Sequence, residues 1–375
     1  MKITHLNPAL TKGGAEKVLV DLANLAVRRG HEVSIVSAIA VDPALLQDQV
    51  DPRVKLHFVC PLGSNKWAAY RAMLPWMLRN WHWLAGQDVV HCHMTYGALL
   101  GSALRLRRGG GAKPKIIETF HGVGMPIRPW QRTLAAIQAA RRDGYALMAE
   151  DDYWSNFART HPLLPLAIIP NGIAIDQPDS SEAERLAYRR DAGIPDGAPV
   201  IGTVGRLRAE RNPFATVAVF AEASRLLGPN VHFLMAGDGP MAEAVRQEGN
   251  RLGLGERLHL PGLAVRPWVA AAVIDVYVSM NVGPITGIAG LEAAAAGVPV
   301  IALQATADYA DGNADWIWSD PDPLRVGAEA ARLLHDPAER QGIATQQAAH
   351  VRSHHSADAM LDAYMALYKR AGAEN

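Results

Sequence analysis

The sequence predicts an α/β protein of two domains, each built on a doubly wound parallel sheet. Two observations support this fold class. Short apolar strand segments alternate with helix-length segments through both halves of the 375-residue chain, which is typical of βαβ units. The turn Pro170-Asn171-Gly172 between the halves is the strongest boundary signal. We therefore expect one domain over residues 1–171 and a second over residues 172–355.

The clearest βαβ unit lies at residues 275–303. A short alternating strand opens it, a glycine-bearing loop follows, and an alanine-rich helix over 288–296 is stopped by Gly297 at the C-cap position. The next strand starts at Val298. A strand, loop and helix start in this arrangement favour an anion site, because free backbone N–H groups and the helix dipole both attract negative charge.

The start of this helix supplies candidate substrate-binding residues: Thr286, Gly287, Ile288 and Glu292. We expect the N–H groups of Gly287 and Ile288 to face a phosphate. The carboxylate of Glu292, one turn further on, suits the hydroxyl groups of a ribose. The alternative is a plain buried βαβ unit with an exposed glutamate.

Composition narrows the class of protein. Hydrophobic residues make up 49% of the chain and charged residues 20%, which indicates a globular protein with a large core. Cys60 and Cys92 form no disulfide framework or metal-ligand spacing, and they fit a reducing compartment. The chain starts directly with a strand rather than a signal peptide, and no run of about 20 apolar residues occurs, so we expect neither secretion nor a membrane span.

The zero net charge of the chain hides an asymmetry between its two parts. Residues 1–171 hold 20 Lys and Arg against 12 Asp and Glu, and the remainder holds 17 against 25. The acidic second part argues against nucleic acid as a partner. The basic first part favours an anionic surface or acceptor on that side.

In the first domain, strands are expected at 2–6, 31–37, 54–59, 88–91, 115–119, 145–149 and 167–169. The loop after the first strand carries Gly13 and Gly14 and leads into a helix over 15–29. Two adjacent glycines allow a backbone to approach a ligand closely. The alternative is that they serve only the geometry of the strand-to-helix turn.

The segment 66–84 carries four of the nine tryptophans, interleaved with basic residues. Its apolar residues recur at helical spacing, and we expect Pro75 to kink or divide the helix. This composition suits a membrane interface. The alternative is a helix that packs on the core and has a solvated basic side. Four arginines are expected to extend the basic face: Arg128, Arg132, Arg141 and Arg142.

Three histidines lie near the ends of two expected strands. His91 and His93 flank Cys92, and we expect their side chains to point to opposite faces of the strand, which argues against a shared metal site. His121 follows the strand 115–119, where α/β sheets place ligand contacts. A purely structural histidine is the alternative at this position.

In the second domain, further strands are expected at 200–204, 231–236 and 258–261 and near Trp316-Ile317. The loop after the first of them carries Arg206 and Arg211 and opens a helix. Two arginines on such a loop can converge on a diphosphate. A basic surface turn is the alternative.

A set of short motifs occurs in a fixed order along the chain: Gly13-Gly14-Ala15-Glu16, His91-Cys92-His93, Phe120-His121-Gly122, Pro170-Asn171-Gly172-Ile173, Val204-Gly205-Arg206-Leu207, Gly237-Asp238-Gly239-Pro240 and Leu291-Glu292-Ala293. Each is weak alone, but the ordered set resembles the retaining glycosyltransferases of family 4. The resemblance implies the GT-B fold, two Rossmann-like domains that face a central cleft. It also implies that a last helix within 356–375 crosses back onto the N-terminal domain.

The resemblance implies a role for each candidate site residue. Gly13 and Gly14 would face the donor diphosphate and the acceptor, and His121 would contact the transferred sugar. Arg206 and Arg211 would neutralise the diphosphate leaving group as the glycosidic bond breaks. Glu292 would hold the nucleotide ribose. No metal and no other cofactor is expected, because the arginines do the work of a divalent ion.

Three positions depart from the family's pattern. Pro284 stands where the family has the first of two glutamates, the one that contacts donor-sugar hydroxyls. Ala174 stands where an aspartate usually follows the Asn-Gly-Ile motif, with Asp176 further on. Arg211 stands where a lysine is usual.

We therefore expect a bacterial-type cytoplasmic enzyme that transfers a sugar, with retention, from a nucleotide-diphosphate sugar to a lipid-linked or saccharide acceptor. Cell-surface polysaccharide or glycolipid synthesis is the expected setting, with peripheral binding to an anionic membrane surface. Two alternatives stay open. One is a GT-B nucleotide-sugar epimerase, against which the missing first glutamate counts. The other is a non-catalytic nucleotide-sugar-binding paralogue, which Pro284 favours.

Overall fold

A computed structural model describes residues 1–10, 13–40, 49–108, 114–121, 129–149, 160, 165–175, 180–264, 266–280, 286–303 and 316–372. Arg128, Asp176 and Pro284 lie outside the described residues, as does the side chain of Arg132. The chain divides into two compact units. The first consists of Met1–Ala174 and Ser356–Asn375, and the second of Ile175–His355.

The described strands of the first unit are β1 Lys2–Ala9, β2 Glu32–Ile39, β3 Lys55–Cys60, β4 Val89–His93, β5 Lys115–Phe120, β6 Gly144–Leu147 and β7 Leu166–Ile168. They form one parallel sheet in the order β3-β2-β1-β4-β5-β6-β7. The order reverses between β1 and β4. In doubly wound sheets, ligands bind beyond the carboxyl ends of the strands at such a reversal.

The helices between these strands are α1 Gly14–Arg28, α2 Lys66–Arg79, α3 Trp81–Ala85, α4 Met94–Arg108 and α5 Pro129–Ala139. In α1, the apolar face predicted from the sequence is buried through Val18, Leu22 and Leu25. The division between α2 and α3 falls at Asn80 rather than at Pro75. The Asn80 side chain donates a 2.8 Å hydrogen bond to the carbonyl of Trp76, and such local bonds compete with the helix ladder.

The tryptophans of this region separate the two alternatives that the sequence left open. Trp76, Trp81 and Trp83 are half-buried and pack against the core of the first unit. Trp67 is 74% exposed on α2. Core packing therefore accounts for three of these four side chains, and an interfacial role rests on the outer face of α2.

No helix among the described residues is both long enough and apolar enough to cross a membrane.

Arg142 does not belong to the exposed basic face that was expected from the sequence. Its side chain is buried and pairs with the buried carboxylate of Glu118, with Nε 2.7 Å from Oε2. The guanidinium also reaches the carbonyl of Ala98 on α4, at 2.6 Å. The carboxylate of Glu118 and the carbonyl of Ala98 thus explain why Arg142 can be buried. Arg141 beside it is exposed.

The helix Ala357–Arg370, called here the C-terminal helix, packs on α1, β6 and β7. Arg29 at the end of α1 forms ion pairs with Asp358 and Asp362 on its outer side. On its inner side, Tyr364 and Tyr368 are buried. The first unit therefore takes part of its interior from a segment that follows the second unit in sequence.

The first unit extends past the boundary expected at Asn171. Ile173 forms a parallel bridge with Ser356, and a Cβ added to Gly172 would lie 2.5 Å from the carbonyl oxygen of Ser356. A side chain at position 172 would therefore push the two segments apart. This contact keeps the chain with the first unit as far as Ala174.

The described strands of the second unit are β8 Val200–Val204, β9 His232–Ala236, β10 Leu258–His259, β11 Val276–Ser279, β12 Val300–Leu303 and β13 Ser319–Asp320. The strand expected near Trp316-Ile317 is β13, because residues 319 and 320 pair with β12. The parallel order is β10-β9-β8-β11-β12-β13, with the reversal between β8 and β11.

The helices of the second unit are α6 Glu182–Asp191, α7 Pro213–Leu227, α8 Ala242–Arg251, α9 Pro267–Ala272, α10 Ile288–Ala295, α11 Pro323–His335 and α12 Pro337–His354. The core lies between the sheet and this shell of helices. Phe220 of α7 stacks on Phe233 of β9, with ring centroids 5.0 Å apart. The predicted fold class, two parallel-sheet Rossmann-like units, is confirmed.

Candidate active site

The reversal between β8 and β11 gathers the predicted donor-site residues of the second unit. The loop 205–212 leaves the carboxyl end of β8 and carries Arg206 and Arg211, which are both exposed. The segment that begins with Thr286 leads into α10, the helix that follows β11 in sequence. β8 and β11 are neighbours in the sheet, and doubly wound sheets place their ligands beyond the carboxyl ends of such strands.

Gly237 and Gly239, which follow β9, pack against the loop that carries Arg206 and Arg211. Backbone N–H groups of Gly205 and Leu207 donate to the carbonyls of Ala236 and Asp238, each at 3.0 Å. A Cβ on Gly237 would lie 1.7 Å from the carbonyl oxygen of Gly205. The loop after β9 therefore packs directly beneath the loop that carries Arg206, and only glycine permits this approach.

The N-terminus of α10 has the features predicted for a phosphate site. Its N-cap is Gly287, and no side chain in the described part of the chain caps the first turn, whose N–H groups have no partner within the helix. Thr286 and Gly287 are partly exposed, and Ile288 is buried at the start of the helix. Thr286 and Gly287 therefore present more surface to solvent than Ile288, which is 9% exposed.

Glu292 lies one turn inside α10 and is 6% exposed. The alternative of a plain βαβ unit with an exposed glutamate is therefore wrong on this point. The helix of Glu292 follows β11 in sequence, so this buried carboxylate belongs to the segment beside the sheet reversal.

Tyr277 links Arg211 and Glu292 electrostatically. Its hydroxyl donates to the Val204 carbonyl at 3.0 Å and accepts from the Val204 N–H at 3.2 Å, which ties β11 to the end of β8. Burial raises the pKa of Tyr277 to about 12, the carboxylate of Glu292 adds to that rise, and the guanidinium of Arg211 opposes it. Tyr277 thus lies within electrostatic range of both Arg211 and Glu292.

The sequence analysis assigned no role to Tyr277. The signal in the sequence was a tyrosine in the short strand that precedes the loop of the predicted anion site. A buried tyrosine hydroxyl needs a hydrogen-bond partner, and the backbone of the neighbouring strand end is the partner that parallel order provides.

The first unit holds the other predicted residues at its own sheet reversal. Gly13 caps α1 after β1, and Gly14 begins the helix; Gly13 is partly exposed and Gly14 exposed. His121 directly follows β5 and is partly exposed. Arg206, Arg211, Thr286, Gly287, Ile288 and Glu292 belong to the second unit.

His91 and His93 point to the same face of β4, so the expectation of opposite faces is wrong. Residues two apart on a strand share a face, because side chains alternate with a period of two. The two ring centroids are 4.1 Å apart. His5 of β1 is the register partner of His91, and it joins them on that face.

Hydrogen bonds connect these rings to His121. Nδ1 of His5 lies 3.1 Å from Nε2 of His93, and Nδ1 of His93 lies 3.1 Å from Nε2 of His121. His91 bonds separately, with Nε2 2.8 Å from the Thr119 hydroxyl and Nδ1 2.8 Å from the Tyr368 hydroxyl. His5 was not among the residues predicted from the sequence, although it is a histidine inside an expected strand.

Burial keeps these histidines neutral. It lowers the pKa of His5 and of His121 to about 4, and it lowers the pKa of His91 and His93 well below the ordinary value. A neutral imidazole has one N–H donor and one acceptor nitrogen. The group therefore acts by hydrogen bonding rather than by positive charge at pH 7.

The nitrogens of His5, His91 and His93 lie within 4.8 Å of one another, close enough to hold a metal ion. Both ring nitrogens of His91 and of His93 are already hydrogen-bonded, however. A metal would have to displace at least one of these bonds from each ring. The expectation of no metal stays a prediction and rests on these bonds rather than on opposed faces.

Comparison with known proteins agrees with both units. Residues 12–177 match the family described as Glycosyltransferase Family 4, and residues 198–336 match Glycosyl transferases group 1. A 2-deoxystreptamine N-acetyl-D-glucosaminyltransferase from Streptomyces fradiae is 32% identical over 322 residues, which cover 77% of this chain and 74% of that protein. The lipopolysaccharide core biosynthesis glycosyltransferase LpsD from Rhizobium meliloti is 24% identical over 99% of this chain and 98% of its own.

Solved structures share the fold. HepE from Anabaena, in complex with UDP-glucose, has a TM-score of 0.79 at 17% identity over 98% of this chain and 100% of its own. WaaG, a glycosyltransferase involved in lipopolysaccharide biosynthesis, has a TM-score of 0.68 at 16% identity over 98% and 99%. The two Rossmann-like units are those of the GT-B fold, and the chain belongs to the family 4 and group 1 glycosyltransferases.

Proposed function

We propose that this glycosyltransferase transfers a sugar, with retention, from a nucleotide-diphosphate donor to a lipid-linked or saccharide acceptor. The observation that supports the donor most strongly is the reversal of the second sheet. There, the loop that carries Arg206 and Arg211 follows β8, and the helix that carries Glu292 follows β11, which pairs with β8. A cationic loop, an uncapped helix start and a buried carboxylate match the diphosphate and ribose of a nucleotide sugar.

The chemistry of the donor gives each charged residue a role in the proposed reaction. As the bond between the anomeric carbon and the β-phosphate oxygen breaks, its electron pair stays on the diphosphate. Arg206 and Arg211 stabilise that developing charge, and the N–H groups at Gly287 and Ile288 bind the phosphate oxygens. Glu292 accepts hydrogen bonds from the ribose hydroxyls. With these fixed cations, we propose that transfer needs no divalent metal at the diphosphate.

Retention follows if the acceptor attacks on the face that the leaving group vacates. The acceptor oxygen bonds to the anomeric carbon, and its proton passes to a phosphate oxygen of the departing diphosphate. No protein nucleophile is required for this step. His121, neutral because burial lowers its pKa to about 4, contacts a hydroxyl of the transferred sugar. Gly13 and Gly14 leave room for the diphosphate and the acceptor.

The relatives suggest two kinds of acceptor. The Streptomyces fradiae protein is named for 2-deoxystreptamine, and the Rhizobium meliloti protein for the lipopolysaccharide core. We propose an acceptor of this saccharide or lipid-linked class, within bacterial surface polysaccharide or glycolipid synthesis. HepE was solved with UDP-glucose, which makes uridine diphosphate sugars the first donors to test.

Exposed apolar side chains in the first unit support peripheral membrane binding on the cytoplasmic side. On α2, Trp67, Leu74 and Leu78 are 74%, 50% and 47% exposed, and their spacing places them along one side of the helix. On α5, Trp130, Leu134 and Ile137 form a second such row. Interfacial helices combine rows of this kind with basic residues.

Transfer assays with a panel of nucleotide sugars test the proposal. Release of nucleoside diphosphate with formation of a glycoside of unchanged anomeric configuration, followed by NMR, is the expected result. Interconversion of the donor into a second nucleotide sugar without an acceptor would instead establish the epimerase. Tight nucleotide-sugar binding with neither product would establish the non-catalytic paralogue that Pro284 favours.

A further inference from the structure

We propose that His93 and His5 are positioning residues that orient His121 and couple its tautomer to their own through a chain of imidazole hydrogen bonds. This inference rests on the proposed contact between His121 and the sugar. It assigns a role to two buried histidines that do not themselves follow a strand end. The chain runs from the interior of the first sheet to the partly exposed ring of His121.

The backbone fixes the geometry of the chain. His5, His93 and His121 come from or follow three strands that are neighbours in the sheet, β1, β4 and β5. His5 and His93 are 1% and 2% exposed. Both links measure 3.1 Å between nitrogens, which is hydrogen-bond distance.

His91 restrains the middle of the chain. Its ring lies against His93, with centroids 4.1 Å apart, and against His5, at 5.2 Å. The hydroxyls of Thr119 and Tyr368 hold His91 at 2.8 Å each. Tyr364 bonds Thr119 at 2.9 Å. Hydrogen bonds from the C-terminal helix thus orient the ring of His91, which packs against His93.

The hydrogen-bond pattern couples the tautomers. Each neutral ring has one N–H. If His5 donates from Nδ1 to Nε2 of His93, then His93 carries its proton on Nδ1 and donates to Nε2 of His121, which leaves the His121 proton on Nδ1. If the direction is reversed, all three rings carry their protons on Nε2. The structure therefore permits only two arrangements, and in both of them the three rings share one tautomer.

The consequence for the site is a defined group at Nδ1 of His121. In one arrangement Nδ1 is a donor, and in the other it is an acceptor. A sugar hydroxyl bound there meets a nitrogen whose donor or acceptor character is coupled to the tautomers of His5 and His93. Preorganised hydrogen-bond partners of this kind avoid reorganisation during the reaction.

Nitrogen-15 NMR of the histidine rings in the full-length protein tests the chain without any substrate. Long-range proton correlations distinguish Nδ1–H from Nε2–H rings. We expect His5, His93 and His121 to show the same tautomer at pH 7.5. Different tautomers among the three, or metal bound at one ion per protein in the purified enzyme, would overturn the proposal, because a metal occupies the lone pairs that the chain uses.

Variants of His5 link the chain to activity, since His5 touches no proposed substrate group. His5→Phe keeps an aromatic ring and removes the hydrogen bond. We expect it to uncouple the His121 tautomer from His5 and to lower kcat roughly 10-fold with little change in donor KM, the lower end of the range for residues that orient a metal-binding histidine. His5→Asn places an amide near the Nδ1 position and should restore much of the loss. Unchanged kcat in His5→Phe would overturn the positioning role.

The second unit offers a matched control. Nδ1 of His232 lies 2.9 Å from Nε2 of His259, so His232→Phe removes the same type of bond away from His121. It should leave the His121 signals and kcat unchanged. If the proposed function itself is wrong, the wild-type enzyme will transfer no sugar. The NMR experiment would still report the histidine tautomers in that case, so the two failures can be distinguished. Circular dichroism of each variant confirms folding.

Discussion

Nε of Arg142 donates a 2.7 Å hydrogen bond to Oε2 of Glu118 in the interior of the first unit. The same guanidinium donates to the Ala98 carbonyl at 2.6 Å and to the Ser102 hydroxyl at 3.2 Å. One buried arginine therefore joins β5 to α4. Burial raises the pKa of Glu118, and the positive charge of Arg142 opposes that rise.

We expect Arg142→Ala to lower the free energy of unfolding by about 3–5 kcal/mol, because it leaves the charge of Glu118 buried without its partner. Urea denaturation followed by circular dichroism measures the change. Arg141→Ala, at an exposed neighbour, should change it by less than about 0.5 kcal/mol. A double variant, Glu118→Leu with Arg142→Met, should recover part of the loss. Equal stabilities for Arg142→Ala and Arg141→Ala would contradict the buried pair.

Replacing either arginine of the loop after β8 should impair transfer. Arg206→Ala and Arg211→Ala should each lower kcat/KM by an amount equivalent to about 2–4 kcal/mol, because each removes a charge aimed at the leaving diphosphate. Arg208→Ala, at an exposed position of the same loop, is the matched control and should retain near-normal kcat/KM. If all three variants behave alike, the diphosphate assignment is wrong.

Glu292→Gln should weaken nucleotide binding by about 1–3 kcal/mol, the range for a hydrogen bond to a charged group. Calorimetric titration with uridine diphosphate measures the dissociation constant directly. Glu243→Gln, on the exposed side of α8, should leave it unchanged. An equal dissociation constant for wild type and Glu292→Gln would remove the ribose assignment.

Stability should fall as the solution is made acidic. Burial lowers the pKa of His5 to about 4, whereas an unfolded histidine has a pKa of about 6.5. Between these values the unfolded state binds more protons, so stability is full above about pH 6.5 and is lost as the pH falls toward 4. His5 alone should cost roughly 2 kcal/mol between pH 7 and pH 5.

His91, His93 and His121 add to this loss in the same direction, since burial lowers the pKa of each. Urea midpoints at pH 7, 6 and 5 measure it. His5→Phe should flatten the pH dependence, while His82→Gln, at an exposed position, should not. A midpoint that rises between pH 7 and pH 5 would show that these rings are charged in the folded protein.

Binding to anionic vesicles should depend on Trp67. We expect co-sedimentation with phosphatidylserine-containing vesicles at low salt, with a blue shift of tryptophan fluorescence, and release at 1 M salt, where the Debye length falls to about 3 Å. Trp67→Ser should weaken binding. Trp318→Ser, at a 40% exposed tryptophan of the second unit, is the control. No binding at any salt concentration would favour a soluble acceptor.

The sequence supported the alternation of strands and helices because buried parallel strands and amphipathic helices leave local patterns. Arg206, Arg211 and Glu292 could be selected because they follow strand ends. The link through Tyr277 and the role of His5 could not, since both depend on which strands become neighbours. Arg142 was misplaced because a charged side chain predicts exposure unless its partner, here Glu118, is known.

The hydroxyl of Tyr368 reaches His91 across 277 residues of chain, and this separation sets an order of assembly during translation. At roughly 5–20 residues per second, the C-terminal helix that completes the interior of the first unit is synthesised tens of seconds after β4. The second unit is one continuous segment, Ile175–His355, and can fold as soon as it leaves the ribosome. We therefore expect the nascent first unit to remain open and protease-sensitive until the C-terminal helix emerges, so that the unit synthesised first is the one completed last.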